Sequence, residues 1–363
     1  PESGLDGVRD VALEAGRIVA IKRTIEEDGT RVLYAQGLVL APGFVDLHAH
    51  GASDEARQYQ VRDGVTTALE LEWGYPTVGA FLESREGRSR VNFGASVSHG
   101  MVRGLALTDS ENREALRSQM AVAATAEEPL RALQNLAFDT FQQGASADQR
   151  ELAVQEIKRG LDEGGIGIGM AHAYYPGADA AEILELFEAA HSLDTMIFTH
   201  ARGRGLAAVQ EVVANAAATG AALHIVHANS TSLGEIGPVL DLLQGARSRG
   251  VDVSAEAYPY TAASTSIQSA LFDGDWQSAY GISYDGLQWQ ETGERLTAET
   301  FTAYRAQGGI LIIHMMKDPW IDRAIGNDWV IVASDGMPYA PGAHPRTAGT
   351  FARVLGYYAR ERG

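Results

Sequence analysis

The stretch Ala41-Pro-Gly-Phe-Val-Asp-Leu-His-Ala-His50-Gly51 decides how the rest of the chain is read. Leu38, Val39 and Leu40 lead into it, Pro42-Gly43 mark a turn, and Phe44–Leu47 has the apolar content of a short strand. That strand ends on His48 and His50. Side chains alternate across a strand, so the two imidazoles project to one side and form a natural chelate for a divalent metal, zinc above all. An isolated His-x-His pair is more often two loop histidines, and its meaning here comes from its company.

Toward the N-terminus the pattern is β-like. Val8–Ala20 reads as a hairpin turning at Gly16-Arg17, and Arg31–Tyr34 and Gly37–Leu40 continue in the same style. Residues 1–43 are therefore assigned to part of a small β-domain. From residue 44 to 363 the rhythm changes to short apolar strands alternating with amphipathic helices, which predicts an α/β fold of the TIM (β/α)8 barrel type. The expected strands are Phe44–Leu47, Thr66–Leu71, Asn92–Ser98, Gly165–Met170, Met196–Phe198, Ala222–Val226, Gly309–Ile313 and Trp329–Ala333. Val251–Ala257 is read as an extra strand outside that set. Helices are expected over Glu111–Ala126, Ala147–Glu163, Ala180–Ser192, Gly205–Ala218 and Ser232–Ser248.

Bulk properties narrow the choices. Hydrophobic residues make up 45% and charged residues 21%, enough apolar content for a large core. The net charge of −18, with no basic run, argues against nucleic acid or an anionic membrane surface as partner. With no cysteine, disulfides and thiolate ligands are excluded, and any metal must use His, Asp, Glu or water. No apolar run reaches the roughly 18 residues of a membrane span. The chain starts at Pro1, close to an expected element, which leaves room for a removed leader.

Polar residues gather where barrel active sites are built, at the C-terminal ends of the expected strands. His200 ends Ile197-Phe-Thr-His200, and His227 ends Leu223-His-Ile-Val-His227. Alternation puts His227 on the face of Ile225 and His224 on the other, so His227 is the candidate ligand and His224 is structural. With His48 and His50 the imidazoles suffice for one or two metal ions. Asp335, in Val330-Ile-Val-Ala-Ser-Asp335-Gly336, follows the last strand. A carboxylate there can bind a metal through one oxygen and take a proton from water with the other, serving as general base and then general acid.

This set resembles the amidohydrolase superfamily, whose barrels bear His-x-His on the first strand, His on the fifth and sixth, and Asp on the eighth. It is similar in more detail to the N-acyl-D-amino-acid deacylases (D-aminoacylases). The matching stretches are Pro42–His48, Gly64-Val-Thr-Thr67, Ser98-His-Gly-Met-Val-Arg103, Tyr258-Pro-Tyr-Thr-Ala-Ala-Ser-Thr265, Ser334-Asp-Gly-Met-Pro338 and His344–Gly356. The family's cysteine ligand after the second strand is absent, and Ala68-Leu-Glu70-Leu-Glu72-Trp-Gly74 stands in its place. Glu72 is the expected replacement, with Glu70 as second choice, because buried carboxylates are costly without a cation. The fourth expected strand has no lysine, which argues against the lysine carbamate of hydantoinases and dihydroorotases.

The resemblance implies one or two zinc ions held by His48, His50, Glu72, His200 and His227, with Asp335 as the catalytic residue. It implies Arg346 as partner of a substrate carboxylate, supported by Tyr258 and Ser264, and Tyr174 as the hydroxyl polarising the scissile carbonyl; Arg202 is a further candidate. Family members favour a lysine after the sixth-strand histidine, where this chain has Ala228-Asn229, so side-chain preference is open. The expected activity is zinc-dependent hydrolysis of an N-acyl-D-amino acid to a carboxylate and a free D-amino acid. A cyclic amidohydrolase is the alternative enzyme, and a non-catalytic barrel subunit the alternative of another class. A small-molecule substrate and a cytoplasmic location are expected. A homo-oligomer is compatible with the sequence, although no hydrophobic stripe names an interface. Both ends of the β-domain look clipped, which suggests a native product longer than the given chain.

Overall fold

The computed structural model describes residues 7–26, 31–133 and 136–362. The chain divides into two compact units, Pro1–Pro42 and Gly43–Gly363. In the first, Asp10–Glu14 and Arg17–Lys22 pair as an antiparallel hairpin. Ala15 and Gly16, with φ of 47° and 76°, supply the two left-handed residues of its turn, one position earlier than expected. Arg31–Tyr34 and Gly37–Leu40 are not strands, and part of the connecting stretch lies outside the described residues.

Among the described residues, the second unit contains eight parallel strands whose order in space follows the chain. They are β1 (Phe44–Asp46), β2 (Val65–Tyr75), β3 (Asn92–Ser98), β4 (Ile168–Met170), β5 (Met196–Thr199), β6 (Ala222–Ile225), β7 (Val253–Ala257) and β8 (Val330–Val332). Ala49 bridges Gly336 in parallel, and the His50 amide donates to the Gly336 carbonyl at 2.8 Å. First and last strands thus meet, and the sheet closes as a TIM-type barrel.

One strand assignment is corrected. The seventh barrel strand is β7, the segment read as an extra, because it pairs with both β6 and β8. Ile310–Ile313 instead forms the middle of an antiparallel sheet between Ala263–Ser266 and Leu287–Trp289. Both segments are short apolar runs, and periodicity cannot separate a barrel strand from one in an insertion. The insertion has its own core, in which Trp276 stacks on Phe301 and Trp289 on Tyr304.

The helices bury the stripes that their spacing dictates. Ala147–Asp162 starts on a Ser146/Gln149 capping box and buries Ala153, Ile157 and Gly160. Ala180–Ser192 buries Ile183, Leu186, Phe187 and Ala190; Gly205–Thr219 buries Val209, Val212, Val213 and Ala216. These faces cover Val97, Ile168, Ile197, Leu223, Ile225 and Ala255 on the outer side of the strands. Inside the barrel, Leu71, Phe198 and Val226 pack together.

Candidate active site

The four expected histidine ligands and Asp335 each follow a strand of the barrel. His48 and His50 follow β1, His200 follows β5, His227 follows β6, and Asp335 follows β8. Glu72 lies in β2, where the register against β3 shifts between Glu70 and Tyr75. Gly74 completes that irregularity with φ of +64°; a Cβ there would stand 2.4 Å from the Ser96 carbonyl oxygen.

Alternation did not deliver His227. Ile225 faces the helices, Val226 faces the barrel interior, and His224 also turns inward, where its Nε2 lies 3.1 Å from Glu256. A continued strand would carry His227 outward with Ile225. The backbone instead turns left-handed at His227, φ +32°, and swings the imidazole into the barrel mouth. Asp335 does the same at φ +50°.

The donor atoms form two sets that share Glu72. In one, His48 Nε2 and His50 Nε2 are 3.1 Å apart, and Glu72 Oε2 lies 3.1 and 3.2 Å from them. Asp335 Oδ1 completes this set at 3.5 and 3.4 Å from the same nitrogens. In the other, Glu72 Oε1 lies 2.6 Å from His200 Nδ1 and 3.1 Å from His227 Nε2, which are 3.0 Å apart. All six residues are buried. A tetrahedral zinc with bonds near 2.0–2.1 Å separates its donors by about 3.3 Å; the first set is close to that spacing, and in the second Glu72 Oε1 stands nearer to His200 Nδ1. Nitrogen lone pairs this close repel unless a proton or cation lies between them, and this donor chemistry matches that of zinc.

Carboxylates orient the imidazoles from behind. Glu256, on β7, accepts from His48 Nδ1 at 2.5 Å and from the His227 amide at 3.3 Å. Glu70 meets His50 Nδ1 at 2.6 Å, so Glu72 occupies the cluster and Glu70 supports it. Burial alone would lower the pKa of His48, but Glu256, Asp335 and Glu72 outweigh it and raise it well above the usual value. Burial likewise opposes ionisation of Glu72, yet His48, His200 and His227 hold it well below the carboxylate range. His200 is lowered to about 4, first by burial and then by His227. Burial would raise Asp335, but Arg346 and His48 bring it to about 2. The floor thus keeps Glu72 and Asp335 ionised among the imidazoles.

Above the cluster opens a cavity of about 290 Å³. His50, Glu72, His200, His227 and Asp335 form its floor, Trp73, Phe141 and Leu271 an apolar side, and Ser264, Thr265 and Ser269 a polar side. Tyr174 lines it, bonded to Thr265 Oγ1 at 3.1 Å, and its pKa is raised by burial, so it remains a donor. Ser264, Tyr258 and Arg346 come together: Arg346 Nη2 donates to the Ser264 carbonyl at 3.1 Å, and its guanidinium lies over the Tyr258 ring. Arg346 is buried behind the wall with Nη1 2.7 Å from Asp335 Oδ2, so it also serves the aspartate. Arg346 Nε and the hydroxyls of Tyr258 and Ser264 are buried donors without a partner among the described residues.

Arg202 is a correction. Its guanidinium forks onto Glu211, with Nε 3.0 Å from Oε2, and Nη1 donates to the Ala178 carbonyl at 2.8 Å. It does not line the cavity, because a carboxylate on the following helix has already claimed it. Sequence reasoning missed Glu256 and Arg204. The signal for Glu256 was a lone acid in Val253-Ser-Ala-Glu256-Ala, but that strand had been set outside the barrel. For Arg204, on the cavity wall, the sequence offers no signal beyond its place four residues after His200.

A barrel whose first, second, fifth, sixth and eighth strands deliver His, Glu, His, His and Asp to one mouth defines a class of metal-assisted hydrolases. Residues 39–239 match the model of the amidohydrolase family, and the chain belongs to that family. It is 28% identical to the N-acyl-D-glutamate deacylase of Alcaligenes xylosoxydans xylosoxydans, over 99% of this chain and 76% of the relative. It is 26% identical to the D-aminoacylase of the same organism, over 98% and 76%. Its fold is that of the N-acyl-D-glutamate deacylase from Bordetella bronchiseptica, solved with zinc and a phosphonate mimic of the tetrahedral intermediate. The TM-score is 0.75 at 23% identity, covering 98% of this chain and 77% of that one.

Proposed function

We propose that this chain is a zinc-dependent deacylase that hydrolyses N-acyl-D-amino acids to a carboxylate and a free D-amino acid. The observation that carries this reading is the pair of donor sets sharing Glu72 beneath a cavity with unpartnered donors on one wall. His48, His50, Glu72 and Asp335 would hold one ion, and Glu72, His200 and His227 a second. Zinc bound there supplies Lewis acidity toward a carbonyl oxygen and acidifies water.

The chain's own residues do the rest. Arg346, Tyr258 and Ser264 would receive the substrate's α-carboxylate, a guanidinium and two hydroxyls being suited to it. Tyr174, protonated and near His200, would donate to the scissile carbonyl oxygen. Asp335 would accept a proton from the attacking water and return it to the departing nitrogen. Glu256 and Glu70 keep the imidazoles of His48 and His50 turned toward the floor. The ring-opening alternative is not favoured: β4 carries no lysine for a carbamate, and Lys158 lies on the preceding helix.

The test is elemental analysis of the purified protein before and after chelation, beside release of free amino acid from N-acetyl-D- and N-acetyl-L-amino acids. One or two zinc per chain with chelator-sensitive release from the D series is expected. Metal-free protein without turnover would overturn the reading. The cytoplasm is the proposed compartment, checked by cell fractionation; among the described residues no helix is long and apolar enough to cross a membrane.

A further inference from the structure

Among the described residues Arg204 is the one arginine that lines the cavity, and no carboxylate comes within ion-pair distance of it. It is nevertheless tightly placed. Its Nη2 donates to the Tyr280 hydroxyl at 2.8 Å, its Nη1 to the Ser230 carbonyl at 3.2 Å, and its guanidinium lies over the Tyr280 ring at 4.5 Å. The Tyr280 hydroxyl donates in turn to the Leu271 carbonyl at 3.2 Å, so it faces Arg204 with a lone pair. On the same cavity wall, the buried Ser269 hydroxyl has no partner among the described residues.

A guanidinium has five donors, and these contacts use two. The remaining donors point to an anion that arrives with the ligand. The cavity's other acids do not supply it: Glu72 and Asp335 belong to the donor sets, and Asp139 lies beyond ion-pair reach on the rim. On the reading above, the α-carboxylate goes to Ser264 on the cavity wall and to Tyr258 and Arg346 behind it, which leaves Arg204 for a second negative group.

We propose that Arg204 receives the side-chain carboxylate of the substrate, so that the enzyme acts on N-acylated acidic amino acids. This rests on the deacylase reading above and names the substrate class of that same site. Arg204 is a specificity-determining residue: it meets the part of the substrate that does not react. A charge-assisted fork of this kind discriminates a carboxylate from its neutral amide by about 10- to 100-fold.

The experiment is steady-state kinetics of the zinc-loaded enzyme on N-acetyl-D-glutamate and on its near-isostere N-acetyl-D-glutamine. Wild type, Arg204→Gln and Arg204→Lys are compared, each with its zinc content and melting temperature. Wild type is expected to favour the glutamate substrate at least about tenfold in kcat/KM, mainly through KM. Arg204→Gln should bring the ratio close to one, and Arg204→Lys should retain part of it. A wild-type ratio near one, or a ratio that survives in zinc-replete, folded Arg204→Gln, overturns the proposal while leaving a deacylase. If Arg204→Gln does not fold, an undiminished ratio in Arg204→Lys and Tyr280→Phe overturns it instead. Hydrolysis of neither compound overturns this proposal, and the deacylase reading falls with it only if the wider N-acetyl-D-amino-acid series is also left intact.

Discussion

Asp335 has two neighbours that pull in one direction. Its Oδ1 faces His48 and His50, and its Oδ2 faces the buried Arg346. Asp335→Asn should lower turnover by orders of magnitude, since the proposed proton acceptor and ligand are lost together. It should also lower stability, by about 3 kcal/mol or more, because Arg346 is left as an unpaired buried charge. Kinetics and thermal melting of the variant check both parts; normal activity would rule out the proton role. Glu72→Gln is expected to reduce zinc per chain, since a neutral amide cannot serve both donor sets, and elemental analysis reads this directly. Glu256→Gln leaves every donor atom in place and should weaken metal affinity by about 10- to 100-fold, measured by competition with a chelator. At this scale the sequence is legible where chemistry is local. His48, His50, His200 and Asp335 are readable as candidates from their places at strand ends, and Glu72 from the absence of cysteine, and the fold brings these five together. His227 was chosen on an alternation that its own left-handed backbone breaks. Arg202 and Arg204 are two residues apart, and only the fold tells which of them a helix carboxylate neutralises.

Among the elements, strand identity was the part that periodicity could not decide. Val253–Ala257 and Ile310–Ile313 are both short and apolar, and the choice between them rests on pairing partners far away in sequence. The helices were easier, because a stripe every three or four residues and a cap such as Ser146 are written locally. One motif has a structural use of its own. Arg103, from the Ser98–Arg103 stretch, binds Glu182 through Nε at 2.6 Å and holds the carbonyls of Thr140 and Gln143. That pins the segment that places Phe138, Asp139 and Phe141 on the cavity rim. Arg103→Met should leave Glu182 buried without its partner and loosen this segment. The expected result is a raised KM, a lower melting temperature and faster proteolytic cleavage near residue 140. An unchanged KM would show that the rim does not depend on this anchor.

For the molecule as a whole, buried histidines set its response to acid. His99 is held down to about 3 by burial and by Arg103, and His344 to about 3 by burial and Arg346. Unfolded histidines titrate near 6.5, so between these values the unfolded chain binds more protons than the folded one. Stability is full above about pH 6.5 and is lost as pH falls toward the folded values. The melting temperature of wild type should therefore drop on going from about pH 7 to about pH 5, and a His99→Asn variant should show a shallower drop.

The seam of the barrel runs through its chemistry. His48 and His50 leave the first strand, Asp335 leaves the last, and the bridge from Ala49 to Gly336 joins them. Ser334 adds a second tie, its hydroxyl donating to Asp46 at 2.5 Å across 288 residues of chain. Contacts of such long range form only after the intervening chain has been wound, because their closure entropy is repaid late. In time, then, competence comes last. During refolding, helical signal should recover well before zinc capture, and any nascent chain that has not yet made β8 would carry the two histidines without Asp335.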